Sequence, residues 1–250
     1  MDFFYLIFYG CLRLRFLDVE TNPGPWCPVP AVCKILCSNV RGLAGNLRDL
    51  TVASSQYDIL LCSETLFSDM HHVSEVLVLG FGRPVSLCRG KMPRARGMAA
   101  YVRDGYGAYR QPKFESGCCK MLVFRVCGMR QNLYVYNVYR NIDLDDQIFG
   151  CLLTLMAAVH AEDVRASLLF VGDFNGHHQE WSGSTTTNRH VVAAFDFATV
   201  SGCDQLVVSL THARGGTLDL LITDVPELVL VADVVPIGNS DHSSLCRQSF

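Results

Sequence analysis

Eight polar residues stand at or beside the ends of apolar, β-prone runs: Asn39 in "KILCSNV", Glu64 in "DILLCSE", Tyr139 in "LYVYNVY", Asp173 and Asn175 in "SLLFVGDFN", Asp219 within "TLDLLIT", and Asp241 and His242 in "NSDHS" before the last element. Carboxylates and amides at the ends of apolar strands converge on one rim of a sheet sandwich. Oxygen donors of this kind suit magnesium, which takes carboxylates, amide oxygens and water. Taken singly, each has a plainer explanation: Glu64 as a helix cap, "GDFN" as a turn, Asp241 as a loop residue. Their number and order set them apart.

The elements that must hold these residues are short and β-rich. Besides the runs quoted, "GMAAYVR", "MLVFRV", "DQLVV" and "LVADVVP" have strand character. Helical periodicity appears over 43–55, over 145–162 with Ile148, Leu152, Met156 and Val159 on one face, and over 188–200. Many strands with few helices predict an α/β fold, a four-layered sandwich of two packed, mainly antiparallel sheets flanked by helices. No linker divides residues 33–250, so they are expected to form one domain, preceded by a short linker over 25–32 and a separate segment over 1–24.

Half of the 250 residues are apolar, enough for a sizeable core, which excludes a disordered chain. The twelve cysteines are scattered and many lie inside apolar runs, so they read as buried, reduced thiols of an intracellular protein. No CxxC pair exists, and neither Cys27, Cys33 and Cys37 nor Cys118 and Cys119 have zinc-site spacing. From Arg83 to Lys113 eight Lys or Arg, Arg94 and Arg96 among them, stand against one acid, Asp104; this is a segment at +7 in a chain of −3. Such a strip is either a solvated loop or a surface that follows a phosphate backbone. At the amino terminus an apolar stretch of about ten residues has half the length of a membrane span, so no stable membrane association is expected.

In this order, "N…E…Y…GDFN…LD…SDH" resembles the endonuclease/exonuclease/phosphatase superfamily over residues 33–246. More narrowly, "GDFNGHHQEW", "LTHARGGTLDLLITD" and "SDHS" resemble the endonuclease domain of non-LTR retrotransposons. Two departures stand out: Asn141 and Ile142 replace the prolines of a related "YRPP", and Arg41 occupies a position where repair-type relatives often carry an acid. "DVETNPGP", Asp18 to Pro25, resembles the 2A-type ribosome-skipping peptides, which implies co-translational separation between Gly24 and Pro25.

The superfamily resemblance implies magnesium-dependent phosphoester cleavage, with manganese as a substitute ion. Glu64, with Asn39 and Asp241, would hold the metal. Asp173 and Asn175 would orient the attacking water, Tyr139 would donate to a phosphate oxygen, and His242, its tautomer fixed by Asp219, would share proton transfer with Asp173. Arg94, Arg96, Arg140 and His178 are the expected DNA contacts. His177 and His178 read as structural or DNA-positioning residues in preference to metal ligands, and His71 and His72 as surface residues. The implied partners are DNA and the element's own reverse transcriptase and RNA, in nucleus and cytoplasm, with unskipped product mistargeted to the secretory pathway. Another phosphoesterase of the superfamily, acting on an abasic site, RNA or a small phosphate ester, and a decayed nucleic-acid-binding remnant are the competing readings.

Overall fold

The computed structural model describes residues 10–15, 32–67, 76–87, 97–117, 119–127, 131–140, 147–175, 189–207, 211 and 217–229. Among the described residues eleven strands form two sheets. The first contains β1 (Gly10–Arg15), β2 (Val32–Asn39), β3 (Ile59–Ser63), β4 (Val85–Leu87) and β5 (Met98–Val102) in the order β1-β2-β3-β5-β4. The second contains β6 (Ala108–Arg110), β7 (Lys120–Val126), β8 (Leu133–Tyr139), β9 (Ser167–Asp173), β10 (Asp204–Gln205) and β11 (Asp219–Thr223) in the order β10-β11-β9-β8-β7-β6. Among the described residues only β2 with β3 and β8 with β9 run parallel; every other pairing of these strands is antiparallel.

Side-chain alternation decides the layering. In β8, Val135 and Tyr139 point into the core shared with the first sheet, whereas Tyr134, Tyr136 and Val138 face the other way. In β9 the same split puts Leu169 and Val171 inside and Leu168 and Phe170 outside. The outer face is covered by α2 (Gln147–Glu162) and α3 (Arg189–Ser201), which bury Ile148, Leu152, Met156, Val159, Ala194 and Phe197 against it. On the far side of the first sheet α1 (Leu43–Ser54) buries Leu43 and Leu50, seven residues apart on one helical face. Helix, sheet, sheet, helix: the expected sandwich is the observed one.

The helices start and stop within two residues of the sequence reading, and a strand near "DQLVV" is reduced to Asp204–Gln205. β4 and β6, three residues each, escaped it because they are too short to display alternation. "LVADVVP" and the octapeptide Asp18–Pro25 lie outside the described residues. Gly10–Arg15, within the segment over 1–24, pairs antiparallel with β2 from Gly10↔Cys37 to Arg15↔Val32 and forms an edge of the first sheet. Among the described residues no helix is long and apolar enough to cross a membrane. Cys33, Cys37, Cys62, Cys119, Cys127, Cys151 and Cys203 are free thiols, five of them buried.

Candidate active site

Register brings three of the expected residues into one row. Tyr139 ends β8 opposite Asp173 at the end of parallel β9, and Asp219 opens antiparallel β11 opposite the same Asp173. All three occupy the inner phase of their strands, in step with Val135, Val171 and Leu221, so they line up at one end of the space between the sheets. Asn39 closes the row from the first sheet: it continues the inner phase of Cys33, Ile35 and Cys37, and its Nδ2–H donates to Asp173 Oδ2 at 3.1 Å. Glu64 follows β3, whose Ser63 pairs with Asn39, and accepts from the Tyr139 hydroxyl at 3.2 Å. Residues far apart in sequence thus meet where the ends of five strands coincide.

The four residues of "GDFN" have four separate physical tasks. Gly172 lies on β9 against the backbone of Val138, with φ +140, and a Cβ there would stand 2.0 Å from the Val138 carbonyl oxygen. Asp173 turns inward and is buried, its Oδ1 accepting from the Asn175 amide at 3.0 Å. Phe174 turns outward and stacks with Phe149 of α2, ring centroids 6.3 Å apart, which anchors the strand end in the second core. Asn175 adopts φ 50 and donates Nδ2–H to the carbonyl of Arg140 at 2.6 Å.

Left-handed backbone is concentrated at this rim. Among the described residues the non-glycines with positive φ are Arg41, Glu64, Leu66 and Asn175, each within two residues of Asn39, Glu64 or Asp173. Such conformations cost energy for residues with a Cβ and persist where the surroundings enforce them. At Glu64 the enforcement is visible: its carbonyl accepts from Gly42 N at 2.8 Å, and the next carbonyl, of Thr65, from Leu43 N at 2.9 Å.

Beneath the row lies Cys37, whose thiol is pushed up in pKa first by burial and then by the negative charge of Asp219. It stays protonated and supplies packing, not a nucleophile. Thr211, which sequence reasoning missed, accepts with its hydroxyl from Leu218 N at 2.9 Å and Asp219 N at 3.2 Å, and so sets the start of β11. Those bonds span seven and eight residues, beyond the reach of any local turn signature.

Two expectations change. Arg140, expected to contact DNA, has a fully buried side chain; its Nη1 donates to Phe174 O at 3.3 Å and its backbone N–H to Asp173 O at 2.9 Å. With Asn175 bonded to its carbonyl, Arg140 clamps the turn after β9 and offers no outward cation. The basic strip is also shorter than its charges suggest. Arg103 donates to the carbonyls of Ser54 and Tyr57 and pairs with Asp58 at 3.6 Å, Arg110 forms two 2.8 Å bonds with Glu115, and Lys113 pairs with Glu162. These cations serve the fold. Arg94, Arg96, His178, Asp241 and His242 lie outside the described residues.

The donor set fits a hard cation. Glu64, Asn39, Asp173 and Asp219 offer oxygen only, and Asn39 turns its amide nitrogen to Asp173, which makes Oδ1 its ligand-type atom. Among the described residues no three of His, Cys, Asp and Glu form a metal cage. Magnesium needs none, because it keeps several waters and is bound through one or two carboxylates.

Residues 133–246 match a family model described as endonuclease-reverse transcriptase. No curated protein sequence matches the chain. Among solved structures, the endonuclease domain of TRAS1, a telomere-specific non-LTR retrotransposon, is 16% identical with a TM-score of 0.58, over 84% of this chain and 94% of that one. The AP endonuclease LMAP from Leishmania major is 13% identical with a TM-score of 0.66, over 84% and 85%. The catalytic domain of Xenopus laevis APE2 is 16% identical with a TM-score of 0.59, over 84% and 89%. Identities this low speak for a shared fold alone.

Proposed function

We propose that this chain is a magnesium-dependent endonuclease that hydrolyses one phosphodiester bond of duplex DNA, nicking a target for non-LTR retrotransposition. The observation that carries the reading is the inner-face row of Tyr139, Asp173 and Asp219, closed by Asn39 and Glu64 through hydrogen bonds. Magnesium held by Glu64, Asn39 and Asp241 would polarise a phosphate oxygen and offset charge developing at phosphorus. Asp173, fixed by Asn39 and the Asn175 amide, orients the attacking water and shares its proton with His242. As the new P–O bond forms, the bond to the leaving oxygen breaks and that oxygen is protonated. Asp219 fixes the His242 tautomer, and Tyr139 donates to a non-bridging oxygen or holds Glu64.

The direct test is nicking of supercoiled plasmid. Open circles should accumulate with magnesium or manganese and vanish with chelator; a purified, folded chain that never nicks under any divalent ion would refute the reading. The TM-score of 0.66 to an AP endonuclease supports a second reading, abasic-site cleavage. A duplex with one abasic site separates them: the first reading expects no more than a few-fold preference over intact DNA.

Tyr139→Phe removes the 3.2 Å hydroxyl contact to Glu64 and leaves the buried ring in place. Nicking should fall by about tenfold to a hundredfold and stability by no more than about 1 kcal/mol, read from initial rates and a denaturant melt.

We further propose that Asp18–Pro25 acts during translation. Met1–Pro25 placed between two reporters in a eukaryotic extract should give two separate polypeptides, the second starting at Pro25. Pro25→Ala should restore the fusion, because the ring-constrained secondary amine is the slow acceptor. Full-length fusion from the wild-type segment would reduce it to a stiff linker.

A further inference from the structure

Beside Glu64 opens a cavity of about 220 Å³ lined by Gly42, Ala44 and Gly45 at the start of α1, by Thr65, Leu66 and Phe67, and by Val76. We propose that it receives the unstacked base of a nucleotide flanking the cleaved phosphate, with Leu66 as the apolar wall against which that base packs; the inference rests on the endonuclease reading above.

Three observations converge on this occupant. The first is continuity: Gly42 N–H bonds the carbonyl of Glu64 and Leu43 N–H that of Thr65, so the cavity wall and the metal-ligand candidate are one hydrogen-bonded unit. A phosphate at Glu64 brings its flanking nucleotide to the cavity mouth. The second is chemistry. None of these lining side chains is charged, which suits the flat apolar face of a heterocycle and not a phosphate. Arg41, exposed and next to Gly42, and a first turn of α1 without an acid leave the neighbouring surface compatible with a polyanion.

The third is the state of Leu66. It is 47% exposed although large and apolar, and it is held at φ 54, a conformation disfavoured for residues with a Cβ. Its Cδ1 would lie 3.4 Å from a Cβ on Gly42, ordinary van der Waals distance, so Leu66 packs beside Gly42 at the cavity, where the glycine itself is called for by its φ of +107. Apolar side chains presented in this way separate and pack against bases when a duplex is deformed.

Gly45 provides a clean test, because a Cβ there meets nothing within 4 Å and points into open space on a helix that favours leucine over glycine. Gly45→Leu should fill the cavity, and Leu66→Ala should remove its wall. The substrates are duplexes randomised at two positions on either side of a preferred nick, and bis(p-nitrophenyl) phosphate as a diester with no base. Gly45→Leu should lower nicking by about tenfold or more, and both variants should flatten the base preference at one flanking position, with small-diester turnover within about twofold of wild type. Wild-type nicking with a base preference unchanged in both variants overturns this inference alone. A wild-type chain that hydrolyses the small diester but nicks no DNA, or that acts on neither, overturns the endonuclease reading and this inference together.

Discussion

Exchanging Asp173 for asparagine should leave a folded chain whose nicking has dropped by at least about a hundredfold, the usual cost of losing one preorganised group at a reacting centre. The amide keeps the volume of the buried side chain and can still accept from Asn39 Nδ2. Its one oxygen cannot serve both donors, so with that oxygen kept toward Asn39 the 3.0 Å bond from the Asn175 backbone N–H is lost, and with it the fixed orientation of the water-directing group. Neutralising Asp173 also removes a negative charge directly opposite Asp219 on the neighbouring strand, which offsets part of the lost hydrogen bonding. Stability should therefore change little while turnover collapses, a division that packing alone would not produce. Plasmid nicking under single-turnover conditions, read beside a thermal melt, checks both halves. Activity within a few-fold of wild type would remove Asp173 from the reaction and leave it a core residue.

What could be read in the sequence was whatever is encoded locally. Alternation in "LYVYNVY" and "SLLFVGDFN" determines which side chains share a face, and a polar residue at the end of such a run is conspicuous against apolar neighbours. The helix over 147–162 was legible for the same reason: four apolar residues at helical spacing are all buried on it. Contacts between distant segments were not legible. Arg140 looked like a surface cation because its neighbours in "NVYRN" say nothing about Phe174, whose carbonyl it binds across 34 residues. Charge counting misread Arg103 likewise, since its partners Ser54, Tyr57 and Asp58 lie more than 40 residues upstream. The strand at Gly10–Arg15 was hidden by the apolar run before it, which displays no period of two.

Gly172 is where a motif letter has a steric cause, and Gly172→Ala should be the most damaging single-methyl substitution in the described chain. Parallel strands β8 and β9 pair Val138 with Gly172, and at φ +140 the position where a Cβ would stand is already occupied by the Val138 backbone. The carbonyl oxygen would lie 2.0 Å away and the carbonyl carbon 3.0 Å. Backbone in the middle of a sheet cannot swing aside as the end of a flexible side chain can. Either the β8–β9 ladder breaks at the residue before Asp173, or β9 rotates and carries Asp173 out of the inner row. A loss of about 4 kcal/mol or more is expected, out of a typical total of about 5–15 kcal/mol, with a melting temperature lower by about 10 °C or more. Gly105→Ala is the matched control: φ there is +76 and nothing lies within 4 Å, so only the backbone preference is lost, about 1–2 kcal/mol. If the two variants melt alike, the close approach at Val138 is absent from the folded protein, and the alignment of Tyr139 with Asp173, which depends on that same pairing, loses its support.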